Sequence, residues 1–347
     1  MPDSLTQKPQ GALRDGWTAD VQDYALVCDW AAGGGVLLVG DASSTISCFD
    51  GKSGRLLWKQ ENVHDGGLLT LAVHPNGKIL ASSGQDGEVV FWSVGDGSKL
   101  DATKVSQGWV EHISWSPEGS LLSAACSRIV LVLDSQGNEK WRSEDHPSTV
   151  SAIAWSGDKE LATACYGSVN FYEIDKKEVS QQLEWRGSLV SMVISPDGEI
   201  VACGSQDNSV HFWRRSTSED AMMSGYPAKP SSLSFDHSGV LLATGGGEQV
   251  TVWSFNGDGP EGTVPGELDL HGKPITCLSF APRGMRLASG SKDGSVAIWS
   301  LNSDGQGGAI GAVLTFESIS ALKWRPDGRA LAAASSQGTI TSWRIGS

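Results

Sequence analysis

The sequence of this 347-residue chain predicts an all-β fold assembled from eight stacked repeats. Three observations predict it. A short apolar phrase ending in a large residue returns eight times, and a turn built on Pro and Gly returns with it. No segment shows the 3.6-residue spacing of apolar positions that an amphipathic helix needs. The phrase reads GEVVFW at 87–92, NSVHFW at 208–213, QVTVW at 249–253, GSVAIW at 294–299 and GTITSW at 338–343, with degenerate copies ending at Phe49, Leu133 and Tyr172. In chain order the copies end 43, 41, 39, 41, 40, 46 and 44 residues apart. A unit of about forty residues cannot bury an apolar face by itself, so neighbouring units must stack.

The elements of one unit follow in order. In the seventh, residues 274–280 read as a first strand, 281–284 as a turn, 286–290 as a second strand, 292–294 as a turn and 295–300 as a third; residues 311–314 supply a fourth. Short β-rich runs separated by Gly, Pro and Asp read as antiparallel hairpins. The first turn recurs as HPNG at 74–77, SPEG at 116–119, SPDG at 195–198 and RPDG at 325–328. Pro presets φ at the second turn position and Gly closes the turn. First strands are expected to end at Trp30, Val73, Trp115, Trp155, Ile194, Phe235, Phe280 and Trp324. The eighth unit stops after its third strand, whereas residues 13–17, ending at Trp17, form a spare segment before the first. Trp17 resembles Trp58 and Trp141, which fall in fourth-strand positions.

On these residues the chain resembles the WD40 β-propeller family over residues 11–347, with residues 1–10 as a disordered tail. The dipeptide that names the family is missing: Ser or Arg follows each of the five phrase-ending Trp residues. The resemblance implies four-stranded blades and a structural tetrad of His, Ser or Thr, Asp and Trp. Two units match the tetrad, with Ser, Asp and Trp 18, 22 and 28 residues after the His: His64, Ser82, Asp86, Trp92 and His271, Ser289, Asp293, Trp299. The fourth keeps His146 and Thr163 with Tyr172 in place of Trp. The fifth keeps Asp207 and Trp213 but has Trp185 where His would fall. The expectation is a single closed eight-bladed propeller whose last blade is completed by the N-terminal strand. Seven blades plus a stray unit is the alternative. Such completion removes exposed sheet edges.

Composition narrows the function. A net charge of −14 argues against nucleic acid or an anionic membrane as the main partner. The polar start of the chain and the lack of a long apolar run predict neither a secretion signal nor a membrane span. Six Cys stand scattered, without a Cys-x-x-Cys pair, as expected of buried reduced thiols in a cytoplasmic protein.

Motifs that suggest chemistry resolve into structure. His64, Ser82 and Asp86 are the residue types of a hydrolase triad, but the constellation recurs with Trp attached in the seventh unit, which a single active site does not require. Residues 257–262 match Gly-x-Gly-x-x-Gly, yet no helix follows, so no pyrophosphate site forms. They read instead as an enlarged loop between the third and fourth strands of the sixth unit. No His-x-x-x-His or mixed Cys/His spacing occurs, and neither a metal site nor a cofactor is assigned.

Eleven of the 14 Trp have a packing place in the repeat and Trp17 fits the closing strand, which leaves Trp109 and Trp185. Both lie just before first strands, where the chain crosses between units. Within the family, such crossings line the usual partner-binding face. Arg186, Tyr226 and Lys229 lie in similar crossings, and aromatic and Arg residues dominate binding hot spots. Residues 209–213, 219–230, 242–246 and 259–262 also resemble bacterial WD40 proteins found beside CobW-type GTPases. That resemblance implies, by association, a CobW-type GTPase partner and a link to metal homeostasis. The expected function is therefore a non-catalytic, monomeric protein-binding scaffold. The competing reading is a small-ligand or metal binder, or an enzyme, using the central channel.

Overall fold

The computed structural model describes residues 5–257 and 259–346. Among these the only helical element is a 3-10 turn at Ala32–Gly34. The strands form seven antiparallel sheets: five of four strands, one of five and one of six. Five are meanders in which strands adjacent in sequence pair, and the other two add an N-terminal strand to such a meander. The Pro turns form as expected, with Gly77, Gly119, Gly198 and Gly328 N–H each donating to the carbonyl three residues earlier. The five phrase-ending Trp share one register, opposite an aliphatic residue of the second strand: Leu80↔Trp92, Val201↔Trp213, Leu242↔Trp253, Leu287↔Trp299 and Leu331↔Trp343.

Seven sheets stand where eight were expected. The difference lies between the fourth and fifth repeats. Glu160–Glu173 runs as one strand through the tight connection at Tyr166 and Gly167, and Glu178–Ile194 runs as one strand through the expected crossing. The pair Tyr166↔Ser188 ties that crossing into the ladder, so the sheet becomes six-stranded. The count therefore matches the alternative of seven. Trp185 and Arg186 accordingly lie inside a strand and not in a loop.

Two compact units divide the chain, one made of Met1–Asp20 with Val193–Ser347 and the other of Val21–Met192. In each, the apolar core lies between successive sheets. In the second, Leu38, Ile46 and Cys48 meet Leu71, Leu80 and Trp92 of the next repeat. Each fully buried aliphatic side chain contributes about 1.5–3 kcal/mol. Indole N–H groups at first-strand ends fasten neighbouring repeats: Trp115 Nε1 donates to Ala72 O at 3.1 Å and Trp155 Nε1 to Ser114 O at 2.9 Å. In the first unit Trp324 Nε1 donates to Ser279 O at 2.8 Å.

Leu13–Asp20 pairs with Thr339–Ile345 and supplies the fourth strand of the last sheet, as expected from the spare N-terminal segment. A bulge between Arg14 and Trp17 admits the strand at Gly16, where a Cβ would lie 1.9 Å from Ser342 O. Ahead of it Gln10–Gly11 adds to the seventh sheet, with Gly11 at φ +63°. Thr6 O accepts from Leu314 N at 2.9 Å and Leu5 packs on the core. The described part of the expected tail is thus hydrogen-bonded to the sheet. Residues 1–4 lie outside the described residues.

Candidate functional site

The tetrads form. In the second repeat Trp92 Nε1 donates to Ser82 Oγ at 2.8 Å, and Ser82 Oγ lies 2.8 Å from His64 Nε2. His64 Nδ1 lies 3.0 Å from Asp86 Oδ2. An indole N–H can only donate, so Ser82 passes its own proton to His64 Nε2, and His64 Nδ1–H donates to the carboxylate. Burial lowers the pKa of His64 from its ordinary value, opposed by the Asp86 charge.

In the seventh repeat the chain of bonds is longer. Trp299 Nε1 donates to Ser289 Oγ at 2.8 Å and His271 Nε2 lies 2.7 Å from the same hydroxyl. His271 Nδ1, however, meets Ser295 Oγ at 2.5 Å, and Ser295 donates onward to Asp293. Where His64 meets Asp86 directly, His271 reaches Asp293 through a serine relay. The second repeat has Glu88 at the matching place and no hydroxyl to insert. Desolvation pushes His271 down to about 4, against the pull of Asp293 and Asp269.

Ser82, His64 and Asp86 have the hydrogen-bond order of a Ser–His–Asp triad. Ser82 is nevertheless fully buried, and its oxygen is engaged by Trp92 and His64. No reacting atom can approach it, and a triad is defined by such access and not by residue type. The described residues hold no cluster of three or more His, Cys, Asp or Glu fit for a metal ion. All six Cys are free thiols, and burial pushes Cys48 and Cys277 up to about 12.

The imperfect repeats carry substitute networks. His146 Nε2 lies 2.9 Å from Thr163 Oγ1 and 3.3 Å from the Tyr172 hydroxyl. In the sixth repeat Trp253 Nε1 donates to the Tyr226 hydroxyl at 2.8 Å, and Tyr226 lies 2.8 Å from Thr244 Oγ1. Tyr226 was expected to face a partner; it stands where the second and seventh repeats have His, 18 residues before the hydroxyl residue. That spacing was visible in the sequence. The Ser295 relay had only the weaker signal of a Ser after Asp-Gly.

The remaining partner candidates separate by exposure. Trp109 is 52% exposed directly before Val110–Trp115. Trp185 is partly buried within its long strand, next to exposed Arg186; Lys229 is exposed. Trp109, Trp185 and Arg186 belong to the unit of residues 21–192, Tyr226 and Lys229 to the other.

In the first unit the eighth repeat has a cavity of about 400 Å³, walled in part by Trp17, Thr315, Phe316, Glu317, Ala333 and Trp343. A second, of about 620 Å³, lies beside Tyr226 and Trp253. Neither was anticipated, since each arises from how repeats deviate from one another.

Repeated four-stranded meanders with a Trp-ended third strand and a buried His–Ser–Asp–Trp network define a class, the WD40-repeat β-propellers. The family model described as "WD domain, G-beta repeat" matches residues 58–93, 179–214, 262–300 and 312–344. Those four stretches read as WD40 repeats. It is 26% identical to Actin-interacting protein 1 of Caenorhabditis elegans over 69% of its own length and 40% of that protein's. It is 27% identical to Telomerase protein component 1 of Mus musculus, over 78% of this chain and 10% of that one. The chain thus spans less than half of either. The Serine-threonine kinase receptor-associated protein of Mus musculus is 24% identical over 80% of this chain and 75% of its own. Among solved structures, the computationally designed Ika8 protein superposes with a TM-score of 0.81 at 20% identity, covering 96% of this chain and all of that one.

Proposed function

We propose that this chain is a non-catalytic WD40 scaffold that binds a protein partner, with Trp109 as the principal anchor. The observation that carries the reading is the exposure of Trp109: a large indole, more than half in solvent, at a position for which the repeat has no use. Leaving such a side chain in water forgoes the burial that Trp ordinarily gains, and buried Trp anchors dominate interface energetics. Trp185 and Arg186 extend the proposed surface within the same unit, and Lys229 and Tyr226 are separate candidates in the other. The acidic chain favours a partner with a basic face.

The resemblance of residues 209–262 to proteins found beside CobW-type GTPases supports such a GTPase, and with it metal homeostasis, as the first partner to try. The same proposal takes residues 11–347 as one domain, monomeric and cytoplasmic. The test is affinity capture from the native host with the wild type and with Trp109→Ala plus Trp185→Ala. A partner identified by mass spectrometry and lost from the double variant supports the reading. Unchanged capture by the double variant overturns it.

A further inference from the structure

The tetrad does more than fasten a repeat: its imidazole and hydroxyl fill the space beside the indole. Counting back from Trp343 with the spacing of the two complete tetrads, Thr315 stands in the place of His and Ala333 in the place of Ser. Thr315 turns its hydroxyl to Gly294 O at 2.8 Å and Glu317 O at 3.0 Å. No described residue accepts a hydrogen bond from Trp343 Nε1. All three residues line the cavity of about 400 Å³ in the eighth repeat, a volume within the range of small-ligand sites.

The rest of the lining sets the chemistry. Glu317 is held on the wall by the Ser335 hydroxyl and by Thr339 Oγ1 at 3.2 Å, which fixes its carboxylate and leaves further lone pairs to accept from a donor. Asp15 is a second carboxylate, and no Lys, Arg or His among the described residues lines the space. Phe316 is 81% exposed and Trp17 half-buried, so two aromatic faces border it. An apolar cleft with carboxylates, aromatic rings and no cation suits a cation carried on an apolar stem.

We propose that the eighth-repeat cavity binds a guanidinium or primary ammonium group on an aliphatic stem, presented as an Arg or Lys side chain by the partner protein. This deepens the scaffold reading and rests on it for the source of the side chain.

The test is calorimetric titration of the full chain with three probes: a capped Ala-Arg-Ala peptide, the same peptide with citrulline for Arg, and putrescine as a free amine. Saturable binding of the Arg peptide is expected, weakened roughly tenfold or more by citrulline and by Glu317→Gln, the weight of one charge-assisted hydrogen bond. Phe316→Ala should weaken it in part, with far-UV circular dichroism unchanged throughout. Binding of putrescine but not the peptide overturns the assignment to a partner side chain. No binding of either cation, equal binding of the citrulline peptide, or full binding by Glu317→Gln overturns the site itself. These titrations contain no partner, so they fail independently of the capture experiment with the Trp109 and Trp185 double variant.

Discussion

Acid should loosen the seventh repeat through His271. Its pKa falls from about 6.5 to about 4 in the fold, chiefly because burial penalises the imidazolium, with Asp293 and Asp269 recovering part of the loss. The unfolded chain binds a proton on this residue near pH 6.5, and the folded chain does not until about pH 4. Stability from the neutral imidazole is therefore fully present above pH 6.5, declines as the pH falls through the window, and is spent below about 4. Between about 6.5 and about 4, at about 1.4 kcal/mol for each pH unit, the loss comes to about 3.5 kcal/mol. The perturbation is His271→Gln, which removes the titration and, at neutral pH, costs about 1–3 kcal/mol by taking one partner from each of the Ser289 and Ser295 hydroxyls. Urea unfolding followed by tryptophan fluorescence, at fixed ionic strength and half-unit steps from pH 8 to 4, reads the difference. The variant should be the less stable protein at pH 7, and the gap should close or reverse by pH 4. Other acid-labile groups cancel in that difference. Parallel curves for wild type and variant, or a His271 ring titrating near pH 6.5 by NMR, would refute the reasoning.

The serine relay predicts that Ser295→Ala destabilises by about 1–3 kcal/mol, whereas Glu88→Ala, at the matching place in the second repeat, stays within about 0.5 kcal/mol; urea midpoints decide. Gly16→Ala forces a Cβ against Ser342 O. It should release the N-terminal strand, seen as faster tryptic cleavage after Arg14 with the remaining fragments still folded. Tyr226→Phe leaves Trp253 Nε1 without its acceptor and should cost about 1–3 kcal/mol, lowering the thermal midpoint while partner capture is retained. Loss of capture without loss of stability would return Tyr226 to the contact surface.

What was legible in the sequence, and what was not, follows from the range of the interactions. The Trp-ended phrase, the Pro-Gly turns and the completion of the last sheet by residues near Trp17 depend on local patterning and on counting, and each has its structural counterpart. The tetrads were legible because Trp, Ser, His and Asp keep fixed intervals. The fusion of the fourth and fifth repeats was not, because it depends on whether the crossing at residues 184–188 stays extended long enough to pair Ser188 with Tyr166. Its one trace is a stretch without Pro from Glu178 to Ile194, a composition equally compatible with a loop. The Ser295 relay turns on whether a carboxylate meets the ring nitrogen directly or through a hydroxyl, which spacing does not encode.

The cavity at Trp343 shows that a repeat can be read for what it omits. A motif that recurs states which groups a given volume normally contains, so a copy lacking them implies either collapse or vacancy. In the sixth repeat Tyr226 takes the His place and meets both Trp253 and Thr244, so the indole there is hydrogen-bonded although a cavity still lies beside it. The eighth repeat has Thr315 and Ala333 at those places, too small to reach across, and its Trp is fixed in register opposite Leu331. Vacancy is the physical consequence, and the carboxylate of Glu317, pinned by two hydroxyls beside that space, gives it a chemical preference. A substitution that restores volume without charge, Ala333→Leu, should therefore abolish binding of the Arg peptide while raising the thermal midpoint. If that variant binds as the wild type does, the cation does not sit where the tetrad is missing.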